Sequence, residues 1–331
     1  MRVTSSTLYD AFQINLNDIQ ARRTKADLQL STGKQIVNLE DNPIDVVDVK
    51  KFTAKINQSD SYQSILEQST KELFAVDDQL RSIADVVQLT REKATESLQL
   101  GVQQNIPVLA SYIKGFLGDA INQANTDFNG HFLLSGTKTT KDSLDKTDET
   151  KTELPFEIVE GTPDATNPSG LKVVFKGNNQ DRIINKDPKT SEVINIKAND
   201  AFGGSGTQVF QTIIDVYNIL QFNKNGVMRG QEDKLDKSEQ DKINTLQQTL
   251  GNQFDEINRV TAKNGVKINR IDSINAQMNS EQIRLKDFRS NLEDTNVAKV
   301  SMDLKREETL LNYTLQVGSR ISQNSLFDFL R

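Results

Sequence analysis

Residues 246–292 read LQQTLGNQFDEINRVTAKNGVKINRIDSINAQMNSEQIRLKDFRSNL and carry the clearest periodicity in the chain. Apolar side chains recur there every seven residues, which is the period of a left-handed coiled coil. Polar residues such as Asn264 and Lys267 interrupt the pattern and favour one register at some cost in stability. The segment therefore predicts a long helix packed along a partner, with this seam: Leu250, Ile257, Ile271, Met278, Leu285 and Leu292.

The first third of the chain supplies a matching partner. Acidic and amide residues at 40–42 precede Pro43, and proline is favoured at the first position of a helix. Apolar residues follow at helical spacing and then settle into a seven-residue repeat. A second long helix is thus predicted to begin at Pro43, with its own seam: Leu66, Leu73, Leu80 and Val87.

Both ends of the chain predict further amphipathic helices. Near the N-terminus an apolar stripe ends close to Gly33, giving a helix of about 25 residues. Near Asp294 the C-terminal repeat loses its phase, and a new stripe begins. The apolar residues assigned to these two terminal faces are Leu8, Phe12, Leu16, Ile19 and Leu30, followed by Val300, Leu304, Leu311, Ile321, Leu326, Phe327, Phe329 and Leu330.

The middle of the chain has a different character. Residues 130–206 contain 8 of the 17 glycines and 4 of the 6 prolines, residues that interrupt helices. Short alternating runs at 156–159, 171–175 and 193–196 predict strands, and Gly177-Asn178-Asn179 predicts a hairpin turn between the second and third. We expect a small antiparallel β domain that contributes little apolar burial. The helix before it is expected to end near Asn129-Gly130.

Composition excludes several kinds of site. With one histidine and no cysteine, the chain cannot form disulfides, thiolate zinc sites or multi-histidine metal sites. His131 is the single histidine base and is expected to be an ordinary loop residue. The sequence therefore predicts a protein that is not an enzyme and needs no cofactor.

Charge and hydropathy argue against two classes of partner. The net charge of −6 disfavours nucleic acid. Membrane insertion is not expected, because no run of apolar residues is long enough to cross a bilayer. The opening sequence lacks the features of a Sec-type signal peptide, so export would need another route.

These patterns predict a mainly α protein with a small β insertion. A long antiparallel rod or coiled coil pairs N- and C-terminal helices, and a β-rich domain occupies the middle. The predicted divisions are a terminal helical assembly domain (1–43 and 294–331), a helical rod domain (44–130 and 206–293) and a small outer β-rich domain (131–205). Two helices with narrow stripes make a poor monomer, so the terminal pair predicts an oligomer; a closed bundle within one chain is the alternative.

Four motifs in order resemble the flagellin family. LSTGKQI at 30–36, followed by the turn at 41–43, is similar to the N-terminal signature of the family, and FNGHFLLSGT at 128–137 to the end of its N-terminal helical region. AKNGVKINRIDS at 262–273 resembles its C-terminal rod helix. SLFDFL at 325–330 and Pro43 resemble members at the junction between hook and filament more than flagellin itself.

The resemblance implies a secreted structural subunit of the bacterial flagellum, located between hook and filament and exported through the flagellar channel. It implies terminal helices that order on assembly and carry the subunit contacts on the two stripes given above. The implied partners are further copies in a ring, a neighbouring hook-associated protein, flagellin, and an export chaperone at the C-terminal helix. A flagellin filament subunit and a cytosolic coiled-coil adaptor remain alternatives.

Overall fold

The computed structural model describes residues 5–38, 40–99, 105–145, 153–187 and 190–329. Of these described residues, 68% are helical. The α-helices of the described part are α1 (Ser5–Thr32), α2 (Pro43–Glu96), α3 (Ile106–Ala124), α4 (Ala198–Phe202), α5 (Gln208–Gln221), α6 (Lys237–Glu293) and α7 (Val297–Phe329). The strands are β1 (Asp127–Phe128), β2 (His131–Phe132), β3 (Phe156–Glu160), β4 (Leu171–Phe175), β5 (Ile183–Asp187) and β6 (Thr190–Val193).

The predicted fold class is confirmed: long helices pair the N- and C-terminal regions, and small antiparallel sheets lie in the middle of the sequence. The chain divides into two compact units. We call residues 62–275 the central unit, and residues 1–61 together with 276–331 the terminal unit. The three-part division proposed from sequence stays a prediction.

In the central unit, α2 and α6 run antiparallel along the predicted seam. Every aliphatic seam residue there has an exposed fraction of 1% or less: Leu66, Leu73, Leu80, Val87, Leu250, Ile257 and Ile271. The polar seam residue Asn264 is fully buried, and its Nδ2 donates to the carbonyl oxygen of Leu73 at 2.7 Å. Lys267 donates from Nζ to the carbonyl oxygen of Asn195, also at 2.7 Å. The Asn264 bond satisfies a side-chain donor inside the α2–α6 interface and helps to fix its register. The Lys267 bond instead joins α6 to the segment between β6 and α4.

The sheets are three two-stranded antiparallel ladders, β1–β2, β3–β4 and β5–β6. The hairpin predicted around Gly177-Asn178-Asn179 is therefore wrong, since β4 pairs with β3 rather than with a strand after the turn. The run at 193–196 is also displaced, because β6 ends at Val193. β5 was not predicted, because its sequence IINKD places two apolar residues before three polar ones and so lacks the alternation that marks a strand.

The β segments bury more apolar surface than expected, which corrects the prediction that this region contributes little apolar burial. Phe156 of β3 is fully buried and stacks on Phe175 of β4 with ring centroids 4.8 Å apart. Its ring also meets Phe202 and Phe210 of α4 and α5. The few large side chains of this region are thus concentrated in one aromatic cluster that joins strands to helices.

Helix α3 ends at Ala124, five residues before the predicted Asn129. Asn125 causes the early end, because its side chain pairs with the backbone of Phe156: Nδ2 donates to the Phe156 carbonyl oxygen and Oδ1 accepts from the Phe156 N–H, both at 2.8 Å. Asn129 and Gly130, both with positive φ, then form the turn between β1 and β2.

Candidate assembly interface

The terminal unit is built around an antiparallel pair of helices, α1 and α7. Its seam follows the stripes predicted from sequence. Ile19 of α1 and Val300 of α7 are buried, while Phe12, Leu16, Leu30, Leu304 and Leu311 are half-buried. The two predicted stripes therefore help to cover each other within one chain.

Two contacts fix the relative position of α1 and α7. Phe12 lies against Gly318, where a Cβ atom would fall 2.3 Å from the ring Cζ, so glycine allows this close approach. Further along α1, Arg22 pairs through Nε with Glu307 Oε1 of α7 at 3.1 Å, and it also pairs with Asp18. The seam is thus apolar in its centre and paired by charge at its margin.

A short backbone clasp connects the loops that flank this pair. Gly33 ends α1 with φ of +68°, and its carbonyl oxygen accepts from the Thr295 N–H at 2.9 Å. The N–H of Gln35 donates to the Glu293 carbonyl oxygen at 2.6 Å, while Lys34 forms an ion pair with the Glu293 carboxylate. The loop after α1 is thereby tied to the loop before α7.

Asp41 orders the same loop from inside. Its carboxylate accepts from the N–H groups of Val37 and Asn38, both at 3.0 Å, and from Lys25 Nζ at 2.5 Å. The Lys25 ammonium, followed by the Asn38 amide, holds the pKa of Asp41 below its ordinary value. This carboxylate joins α1 to the turn that starts α2.

Pairing leaves a second apolar face on α7 uncovered. Met302, Leu310, Tyr313 and Val317 are exposed and share one side of the helix at 3.6 residues per turn. This side lies away from the one that carries Val300 and Leu311. This second face was not predicted from the sequence, although its residues follow one another at helical spacings of eight, three and four. Tyr9, Ile14 and Leu28 are exposed apolar residues of α1.

A hollow of about 590 Å³ runs along the flank of the α1–α7 pair. Ala11, Asn15 and Asp18 line it from α1, and Tyr313 and Val317 line it from α7. Aromatic and aliphatic walls with a few polar groups are typical of surfaces that take up another protein segment. The hollow and the uncovered face of α7 together form the candidate assembly interface.

Some predicted residues fall outside this description. The side chains of Leu8, Ile321, Leu326, Phe327 and Phe329, and the whole of Leu330, lie outside the described residues. The seam residues Met278 and Leu285 are buried in the terminal unit, and Leu292 is half-buried. The assignment of the two terminal stripes to contacts between subunits stays a prediction.

Other kinds of site are not apparent in the described part of the chain. None of its helices is both long enough and apolar enough to cross a membrane. Its acidic and histidine side chains form no group of three or more suited to a metal ion. His131 was expected in a loop but lies in the short strand β2, with Nδ1 3.2 Å from Thr139 Oγ1.

Comparison with known proteins agrees with this architecture. Residues 3–139 match the bacterial flagellin N-terminal helical region. Two relatives, both named flagellar hook-associated protein 3, are 25% identical in Salmonella typhimurium and 26% in Escherichia coli K12, each over 141 residues. The match covers 42% of this chain and 44% of either relative, so the chain aligns with less than half the length of the curated relatives.

Solved structures extend the likeness to most of the fold. A putative flagellar hook-associated protein from Vibrio parahaemolyticus has a TM-score of 0.60 at 16% identity, covering 77% of this chain and 100% of that one. Flagellar hook associated protein-3 from Legionella pneumophila has a TM-score of 0.56 at 12% identity, covering 74% and 98%. At these identities the likeness shows the shared fold.

Fold and sequence comparisons point to the same class: residues 3–139 are similar to the flagellin N-terminal helical region, and the helical fold is shared with a protein described as a flagellar hook-associated protein. Within the class, the chain resembles the proteins named flagellar hook-associated protein 3 in both the sequence and the structure comparisons. The resemblance predicted from the four motifs is confirmed.

Proposed function

We propose that this chain is a structural subunit of the bacterial flagellum that joins the hook to the filament. The observation that carries the proposal is the double-sided character of α7, apolar toward α1 and apolar again on an uncovered face. A helix with apolar side chains on two faces needs a partner on each. Polymerisation supplies the second partner, and the relatives named flagellar hook-associated protein 3 indicate which assembly it belongs to.

The two sets of apolar residues have different roles in this proposal. Those of the seam, including Ile19 and Val300, hold α1 and α7 together as a platform. Contacts with neighbouring copies are made by the uncovered face of α7 and the hollow beside it, with Tyr313 at the centre of both. Tyrosine is enriched in the core of protein interfaces because its ring is large and its hydroxyl tolerates water.

The partners follow from the same proposal. Copies of the chain form a ring, flanked by another hook-associated protein on the hook side and by flagellin on the filament side. The chain reaches this position by flagellar export, and before export a chaperone covers its C-terminal helix. The apolar stripe of α7 is the kind of surface that a helix-binding groove accepts. The site of action is thus the flagellum, and secretion is part of the proposal.

Electron microscopy of cells that lack this protein tests the role directly. We expect hooks without filaments, with flagellin shed into the medium. Intact filaments in the deletion strain would reject the junction role. Copy number separates the alternative of a filament subunit, which would be present in far greater number than one ring requires.

Complementation of the deletion strain tests the contact surface. Tyr313→Glu and Val317→Glu each place a charge on the uncovered face and should reduce filament number to near that of the deletion strain. Gln316→Glu is the matched control, since Gln316 is exposed on the same helix beside this face, and it should restore filaments. Circular dichroism and secreted protein level confirm that the variants fold and are exported. Normal filaments with both charged variants would contradict the assigned surface.

A further inference from the structure

One layer of the α1–α7 seam carries charged residues. On each helix a row of buried or half-buried residues follows an alternating spacing of four and three, which is the seam period of a coiled coil. The row of α1 consists of Phe12, Leu16, Ile19, Arg23, Ala26 and Leu30. The row of α7 consists of Val300, Leu304, Glu307, Leu311, Thr314 and Gly318. Each row thus contains a single charged residue.

The register of the pair places these two charges opposite each other. The contact of Phe12 with Gly318 aligns the rows at one end, and the rows run in opposite directions with the same spacing. Counting inward from that contact, the fourth position is Arg23 on α1 and Glu307 on α7. The ion pair between Arg22 Nε and Glu307 Oε1, at 3.1 Å, agrees with this alignment. The other layers of the seam contain no charged residue.

The charged layer is incompletely hydrogen-bonded. The Glu307 side chain is 14% exposed, and its Oε2 is enclosed without a hydrogen-bond partner. Nε of Arg23 is likewise enclosed without a hydrogen bond, and it lies 4.0 Å from Asp27 Oδ2. Burying charge in this way costs free energy, and apolar residues in place of a buried ion pair are often neutral or stabilising. A layer that adds so little stability points to a role in selecting the partner.

A seam of apolar residues alone would tolerate a shift of the two helices. Because the rows repeat after seven residues, sliding α7 by seven positions along α1 brings apolar side chains opposite apolar ones again. The charged layer does not survive that shift, since Glu307 would face Leu16 or Leu30 and Arg23 would face Val300 or Thr314. A buried charge without an opposite charge is costly, so the layer disfavours both shifted registers.

The same layer disfavours pairing of like helices from two copies. The row of α1 has no acidic residue, so a second α1 offers Arg23 no partner. The row of α7 has no basic residue, so a second α7 offers Glu307 none. Of these pairings, the antiparallel α1–α7 pair in the observed register is the one that brings the two charges together.

We propose that Arg23 and Glu307 form a specificity layer, which selects the register of the α1–α7 pair and excludes like pairing between copies. Arg22 supports the layer by neutralising Glu307 from the margin of the seam. The proposal concerns the pairing of helices in the isolated chain and does not depend on the junction role. Its tests therefore use the purified full chain.

Disulfide formation measures the register, because the chain contains no cysteine of its own. Ala26→Cys with Leu304→Cys detects the observed register, and Ala26→Cys with Leu311→Cys detects a shift of seven residues. With the charged layer intact, the first pair should oxidise at least about tenfold faster than the second. Arg23→Leu with Glu307→Leu makes the layer apolar and should bring the two rates to within about threefold.

A second cysteine pair measures like pairing. Leu16→Cys with Ala26→Cys places both thiols on α1, about 15 Å apart along the helix, so that a disulfide forms only between chains. Interchain disulfides should be rare with the charged layer intact and should increase at least about fivefold with Arg23→Leu and Glu307→Leu. Asp10→Leu with Lys305→Leu is the matched control, since it replaces one acidic and one basic residue at exposed positions outside the rows. It should change neither measurement.

Charge reversal separates the effect of charge from that of shape. Glu307→Arg should abolish the disulfide of the observed register, and adding Arg22→Glu and Arg23→Glu should restore it. Hydrogen exchange of α1 should show at least the parent's protection in the Arg23→Leu, Glu307→Leu variant. A single register in that variant, reduced protection of its α1, or failure of the reversed charges to restore pairing would each overturn the proposal. Equal loosening of the register in the matched control would also refute it.

Discussion

The central and terminal units differ in how completely they bury their apolar side chains. Among the described residues, the central unit holds large side chains that are essentially inaccessible, such as Phe156, Phe210 and Leu73. The buried apolar residues of the terminal unit keep between 4% and 9% of their surface exposed: Ile19, Ala26, Val46, Ile56, Met278, Leu285 and Val300. The central unit is therefore stabilised by its own core, and the terminal unit by a thin seam that another surface can extend.

Hydrogen exchange tests this difference most directly. We expect amides in α1 and α7 to exchange at least about 100-fold faster than those of α3 and α5, because local opening of a thin seam exposes little apolar surface. Exchange of the purified chain, followed by mass spectrometry, gives the protection of each helix. Equal protection of the two sets would contradict the contrast, and with it the expectation that the terminal helices become fully ordered on assembly.

Truncation of one side chain in each unit provides the next largest effect. Phe210→Ala removes a fully buried ring that meets Phe156 and Phe202, and should lower the free energy of unfolding by about 3–5 kcal/mol. Ile19→Ala in the α1–α7 seam should cost about 2 kcal/mol, near the lower end for such deletions. Urea unfolding followed by circular dichroism measures both. Equal losses would mean that the two units are equally well packed.

The same contrast explains how much of the fold the sequence predicts. The long helices could be predicted because their signals are local. Pro43 marks a helix start, and apolar residues such as Leu66 and Leu73 recur every seven positions. β5 and the cluster around Phe156 were not, since their pairing depends on contacts distant in sequence. Propensity does not encode such contacts.

The candidate interface was only partly predictable for a related reason. Periodicity identifies an apolar face, and the stripe with Ile19 and Val300 was found in this way. Periodicity does not say whether a face meets its own chain or another one. The second face of α7, with Tyr313 and Val317, became evident only once α1 was seen to occupy the first.

A change at Gly318 sharpens the account of the terminal seam. A leucine there would collide with the Phe12 ring and should weaken the α1–α7 pair by about 1–3 kcal/mol, despite the better helix propensity of leucine. Phe12→Ala alone leaves a gap beside Gly318. In the double variant, Phe12→Ala with Gly318→Leu, the leucine side chain should partly fill that gap, so that each change partly compensates for the other. The hydrogen-exchange rates of the α1 amides measure the stability of the α1–α7 pair in each variant. Additive effects in the double variant would show that the two residues do not meet.

The smallest expected effect concerns pH and the loop that joins α1 to α2. Asp41 has a pKa held below the ordinary 3.8, first by Lys25. A lowered pKa stabilises the folded state above the unfolded value, and this contribution disappears as the pH falls through 3.8 toward the folded value. Asp41→Asn should therefore cost about 1 kcal/mol at pH 7 and almost nothing at pH 2. Asp10→Asn, an exposed carboxylate on α1, is the control and should show no such difference. If Asp41→Asn loses as much stability at pH 2 as at pH 7, the charge of Asp41 does not order the loop, and the clasp between Gly33 and Thr295 must hold it alone.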